Sequence, residues 1–175
     1  MADNQIRAGA AASNISPPLG VSLNGGMQDR TATHIHDELH ARCLVLESGA
    51  VKLAIVVCDS CMLPETVLSR AKHLAHSHTG IPPDRMLISA THAHSAPTAA
   101  GVFQSEPEVA YCEFLAGRIS DGIRRAAHQV VPARVGWGVG REATQVFNRR
   151  WRMQDGVPLV DPFGHVWTLA THVED

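Results

Sequence analysis

Apolar positions along this chain follow two alternating periods. Short apolar runs bounded by Ser, Pro, Gly and Asp predict strands over Ile6 to Ile15, closed by Ser16-Pro17-Pro18, and over Met86 to Ala90. A further pair, Ala41 to Glu47 and Val51 to Cys58, is joined by Ser48-Gly49-Ala50. Between the runs lie two stretches of helical spacing. Pro64 to His78 carries Val67, Leu68, Ala71, Leu74 and Ala75 as one stripe and ends at Gly80. Glu108 to Val130 carries Phe114, Leu115, Ile119, Ile123 and Ala126, which are core positions and not a cofactor-binding face. Val135 to Val139 and Val166 to Ala170 read as later strands, separated by the turn-rich Gln154-Asp155-Gly156. This alternation predicts an α/β fold, with a mixed β-sheet flanked by helices in a single domain.

Composition narrows the class. A chain of 175 residues lies in the single-domain range and can bury a real core. A net charge of -2 and no concentrated basic run exclude nucleic acid as the main partner, the Arg-rich Asn148 to Arg152 being too short to reverse this. No run approaches the roughly 20 apolar residues that span a bilayer, so no transmembrane segment is expected. The start, MADNQIRAGA, lacks the apolar core of a secretory signal, and a cytoplasmic location is expected. Nothing in the pattern speaks to oligomeric state.

Candidate chemistry concentrates between Arg85 and Gly101, where Met86, Leu87, Ile88 and Ala90 run into His92 and His94. The nearly continuous apolar run suits a strand buried on both faces, and ligands gather beyond the carboxyl ends of such strands. In extended chain, residues i and i+2 point to one side, so both imidazoles can face one volume and offer nitrogen to zinc. Ser95, Ala96, Ala99, Ala100 and Gly101 then leave room for a ligand. Two histidines are only a start, since zinc takes three or four protein ligands, and a second pair, His34 and His36, occurs among the 11 histidines. His76 and His78 fall in the last turn of the first helix, where they favour the helix dipole or face water. Cys58-Asp59-Ser60-Cys61 is nominally a C-x-x-C, but no second one exists to complete a tetrathiolate, and the four cysteines read as packed small hydrophobes. Asp59 follows an apolar strand and can either orient a ligand histidine or cap the next turn.

The segment Ser89-Ala90-Thr91-His92-Ala93-His94-Ser95-Ala96-Pro97 resembles the ATHTHSGP segment of the neutral/alkaline, non-lysosomal ceramidases, a family of zinc-dependent amidases. The likeness continues in family order. Ala8 to Gly20 resembles the opening strand and its ITPPLG turn, and Ile35 to Leu46 resembles hDPLYARALVL. Val51 to Asp59 resembles the following strand, Ile81-Pro82-Pro83-Asp84 the GIPPENV lead-in, and Phe147 to Trp151 a downstream Asn-Arg motif. Coverage runs from about Ile6 to about Leu169, with the His92 segment its most specific part.

The resemblance implies a zinc-dependent amide hydrolase acting on N-acylsphingosine or a related N-acyl lipid, a small-molecule partner. An amide resists water, and zinc (Zn2+) helps by making bound water more acidic and polarising the carbonyl. By the same resemblance His92 ligates zinc, while His94 donates a hydrogen bond or shuttles a proton near the reacting carbonyl. Arg149 matches an arginine that reaches the active site, and His36 matches a histidine near it. Family members are often exported, which would alter the cytoplasmic expectation.

Departures from the family pattern limit what carries over. Its other zinc ligands, a second histidine, a glutamate and a tyrosine, lie downstream of the part resembled. Tyr111 falls inside the second predicted helix and matches no ligand, and equating His172 with the second histidine would be forced. Residues 1 to 175 are therefore expected to form the amino-terminal part of a ceramidase-like catalytic domain, an incomplete fragment of it. Ala96 stands where the motif usually carries glycine, which narrows backbone approach. Two alternatives stay open: a non-catalytic domain of this fold with a partial metal site, and an unrelated metallohydrolase in which His34, His36, His92 and His94 converge.

Overall fold

Period-two burial organises the sheet. The computed structural model describes residues 5–144 and the short strands Leu159–Val160 and Val166–Trp167. The chain runs β1 (Arg7–Asn14), β2 (Ser22–Leu23), β3 (Arg30–Thr31), β4 (His40–Ser48), β5 (Val51–Cys58), α1 (Glu65–Thr79), a 3-10 turn (Pro83–Arg85) and β6 (Met86–Ala90). It continues with α2 (Val109–His128), β7 (Val131–Pro132), β8 (Leu159–Val160) and β9 (Val166–Trp167). Five strands form one sheet in the order β6-β5-β4-β1-β7. The β5/β6 pair is parallel and the other three pairs are antiparallel, so the sheet is mixed as the sequence predicts. Sheet and both helices fall in one compact unit, Met1–Val135, a single α/β domain, while β8 and β9 belong to a second unit, Gly136–Asp175.

Local chemistry explains the connections. β4 and β5 pair from Ser48↔Val51 to Ala41↔Cys58 across a two-residue turn whose first residue, Gly49, has φ 57°. Tight hairpins demand this conformation, and glycine adopts it without steric cost. Parallel strands cannot be joined by a turn, and α1 makes the crossover from β5 to β6. Its cap residue Gly80 (φ 71°) ends the helix by sending its N–H to the His76 carbonyl at 2.8 Å. His76 itself donates from Nδ1 to the Ile81 carbonyl at 2.9 Å, which helps turn the chain toward β6.

Both helices cover the same face of the sheet. Val67, Ala71 and Ala75 of α1 and Leu115, Ile119, Ile123 and Ala126 of α2 share one core with Cys43, Val45, Ala54, Val56, Cys58, Met86 and Ile88. The opposite face alternates with it and stays partly open, and Leu87 is 62% exposed. The apolar run of β6 therefore does not signal burial on both faces; among the described residues only one face has a helical layer. Phe114, expected in the core, is 43% exposed. The buried stripe of α2 runs through Tyr111, Leu115, Ile119 and Ile123, so Phe114 falls beside it; the Tyr111 hydroxyl donates to the Ile15 carbonyl at 3.1 Å. Val135 to Val139 is not a strand: Gly136, Gly138 and Gly140 alternate with it and leave nothing to pack on a second face, so pairing occurs earlier, at β7. Of the predicted strand Val166 to Ala170, Val166–Trp167 pairs antiparallel with β8. The rest of it and the turn around Asp155 lie outside the described residues.

One glycine sets how closely α2 approaches the sheet. A Cβ on Gly9 of β1 would collide with the Ala126 carbonyl oxygen and lie 2.8 Å from the Val130 nitrogen. These are backbone atoms, which cannot rotate away. Gly9→Ala is expected to destabilise the fold by about 1–3 kcal/mol or more, read as a lower urea midpoint at unchanged slope.

Candidate metal centre

The parallel pair β5/β6 ends in register at Cys58↔Ala90, and both chains continue side by side beyond it. Thr91 donates to the Cys58 carbonyl at 2.9 Å, and Ala93 donates to the Ser60 carbonyl at 3.1 Å. The segment holding Cys61 is thereby strapped to the segment holding His92 and His94, at the carboxyl edge where α/β sheets collect ligands.

His92 is not extended. Its φ of 62° lies in the left-handed region, which costs a non-glycine residue roughly 1–2 kcal/mol. A left-handed turn, and not the pleat of a strand, brings the two rings together. They meet edge to face with centroids 4.7 Å apart and planes at 74°. Both histidines are exposed, whereas Cys61 is buried. His92 Nδ1 lies 3.0 Å from the Cys61 carbonyl oxygen and 3.8 Å from its Sγ. A carbonyl can only accept, so Nδ1 is the donor in this hydrogen bond. One ligand atom each from Cys61, His92 and His94 lies within 4.8 Å of the others, so this group can hold a metal ion. Its donors, one sulfur and two imidazole nitrogens, are those that zinc and its neighbours prefer to oxygen-rich sets.

The small pair β2/β3 braces this loop from outside the sheet. Asn24, fully buried, donates through Nδ2 to the Ala100 carbonyl (2.8 Å), and its backbone N–H donates to Ala96 (2.9 Å). Arg30 Nη2 donates to the His94 carbonyl at 2.6 Å. Gly25 (φ 89°) passes so close that an added Cβ would sit 2.6 Å from the Cα of His94. Arg30, Asn24, Gly25 and Cys61 were not legible as site residues in the sequence. A usable signal for Cys61 was its position just past β5, the parallel neighbour of the strand that delivers His92.

The remaining expected residues fall elsewhere. His36 is exposed and pairs with Asp37, Nδ1 to Oδ2 at 2.7 Å. His34 and His36 instead line a largely apolar groove of about 440 Å³ with Leu19, Leu39, Ser95 and Pro97. Asp59 neither touches His92 nor caps α1; it accepts from Arg42 Nη1 at 2.7 Å and from the His40 N–H at 2.9 Å. Burial pushes its carboxyl up, but Arg42 and the His40 amide outweigh this and the net shift is downward. Cys43 and Cys58 are core residues whose thiols burial pushes up to about 12. The Cys61 thiol is also raised by burial. Arg149 and His172 lie outside the described residues.

A mixed α/β sheet with two helices on one face defines the class of this domain, and solved structures share this fold. The structure of neutral ceramidase from Pseudomonas aeruginosa superposes with a TM-score of 0.67 at 21% identity, covering 74% of this chain and 22% of that one. A ceramidase complexed with C2 gives a TM-score of 0.65, again at 21% identity over 74% of this chain and 22% of that one. The chain thus has a fold found in neutral ceramidases and spans about a fifth of their length. No family model and no curated protein matches the sequence. Among the described residues no helix is long and apolar enough to cross a membrane.

Two outcomes follow from this geometry. Gly25→Ala, strained in φ and crowded against His94, is expected to shift the His94 ring resonances in NMR and lower the thermal midpoint. A carboxyl held low, as Asp59 is, stabilises the fold fully above the unfolded aspartate value of about 3.9 and loses that contribution as pH falls through its folded value. Asp59→Asn should therefore flatten the acid limb of the stability profile below about pH 4, measured as urea midpoints across acid pH.

Proposed function

We propose that this chain is the histidine-bearing, amino-terminal part of a ceramidase-type amide hydrolase that uses zinc on an N-acyl lipid substrate. The observation that carries this reading is the pairing of His92 and His94 at the parallel edge of a fold found in neutral ceramidases. His92 would hold the zinc, which when bound supplies Lewis acidity toward the acyl carbonyl.

The chain's own residues take the other tasks. His94, exposed beside His92 and fixed through its backbone by Arg30, donates a hydrogen bond to the carbonyl oxygen as charge develops there, and passes a proton to the leaving amine. Water adds to the acyl carbon, the C–N bond breaks, and a carboxylate and a protonated amine result. By its resemblance to the family's Asn-Arg motif, Arg149 would supply a cation for the substrate oxygen. The groove lined by Leu19, Leu39, Ser95 and Pro97 adjoins His94 through Ser95 and offers an apolar wall for an acyl chain.

The test is zinc-dependent hydrolysis of a short-chain fluorogenic N-acylsphingosine, with zinc content measured in parallel. Turnover that disappears in His92→Ala together with the metal is the expected result. Tight zinc binding with no turnover on any N-acyl lipid would instead identify a non-catalytic domain that keeps the site.

A further inference from the structure

We propose that Cys61 is a metal ligand of this chain: its thiolate binds a zinc-class divalent cation together with His92, and His94 stands beside the pair. The inference rests on His92 as a ligand but on no hydrolytic activity.

Three observations carry it. Cys61 Sγ and His92 Nδ1 are 3.8 Å apart. Zinc bonds of about 2.3 Å to sulfur and 2.0 Å to nitrogen give a tetrahedral S···N edge of roughly 3.6 Å, and one ligand atom each from Cys61, His92 and His94 lies within 4.8 Å of the others, so side-chain rotation without backbone rearrangement brings a sulfur and an imidazole nitrogen to that spacing. His92 Nδ1 donates to the Cys61 carbonyl oxygen at 3.0 Å, which orients the ring and leaves Nε2 as its free nitrogen for a metal. Finally, Cys61 is held there by the backbone. Thr91→Cys58 and Ala93→Ser60 hydrogen bonds fix its segment against that of His92, so little chain ordering remains to be done on binding. Cys43 and Cys58, the other buried thiols, belong to the hydrophobic core under the helices and are not in the group. A sulfur donor also selects: it favours zinc and cobalt over magnesium or calcium, which prefer oxygen.

The experiment loads the purified chain with Zn2+ or Co2+ and reads the metal's surroundings. Zinc X-ray absorption should show one sulfur scatterer at about 2.3 Å, and the cobalt form should show a near-ultraviolet sulfur-to-metal charge-transfer band. Cys61→Ser should lose both and weaken metal affinity by more than the roughly 10–100-fold that loss of an outer partner costs, while Cys112→Ser keeps them. X-ray absorption on the unmutated chain decides the matter even where Cys61→Ser fails to fold. A shell of nitrogen and oxygen only, with the metal still lost in His92→Ala, overturns the role of Cys61 and leaves the hydrolytic reading standing. No metal bound at all overturns both.

Discussion

The parallel pairing of β5 with β6 is the constraint from which the site follows. An antiparallel neighbour brings the opposite end of its strand to the same edge, as β4 does when His40 and Arg42 arrive beside Asp59. Only a parallel partner delivers a second carboxyl end, with the loop that follows it. That requires the crossover helix α1, and α1 is held by burying Val67, Ala71 and Ala75 in the core shared by α2 and the sheet residues Val56 and Met86. Small residues at two of these three places let the helix lie close. Packing of α1 thus sets the register Cys58↔Ala90, and that register places Cys61 against His92.

Holding the loop costs conformational energy, and the surrounding structure offsets it. His92 in the left-handed region is unfavourable in isolation. It persists because its neighbours Thr91 and Ala93 are hydrogen-bonded to the β5 extension on one side, while Asn24 and Arg30 hold Ala96 and His94 on the other. Side-chain hydrogen bonds to backbone carbonyls suit this purpose, since they hold the chain without occupying the imidazoles. The rings remain exposed on a backbone that is not free to move.

Sequence periodicity carried the layer structure, because burial on one side repeats every second residue in a strand and every third or fourth in a helix. β5 is found where predicted, at Val51–Cys58, and α1 begins and ends within one residue of expectation. Periodicity is weakest where two stripes differ by one residue, as with Phe114 and Leu115, or where an apolar run does not reveal whether its second face is covered, as with Leu87. The histidine pair was visible because both members are local. Cys61 was not, because its partner is 31 residues away in the chain and is set by a strand pairing, not by a second C-x-x-C. Arg30 and Gly25 act through contacts to the backbone of His94, which leave no trace in residue spacing.

A thiolate beside an imidazole also changes what the site can do. Two neutral imidazoles leave the charge of a divalent cation intact, which favours polarising an acyl carbonyl. A thiolate donates charge and makes the metal a weaker Lewis acid, while raising its affinity. The thiol starts from a buried position where burial disfavours its anion, so a cation beside it is what makes the charged form tenable there. Cys61 and the exposed face of His94 therefore pull the site in opposite directions, one toward retention of the metal and the other toward its use. The balance is set by how many further donors reach His92 and His94, both of which are exposed in this domain.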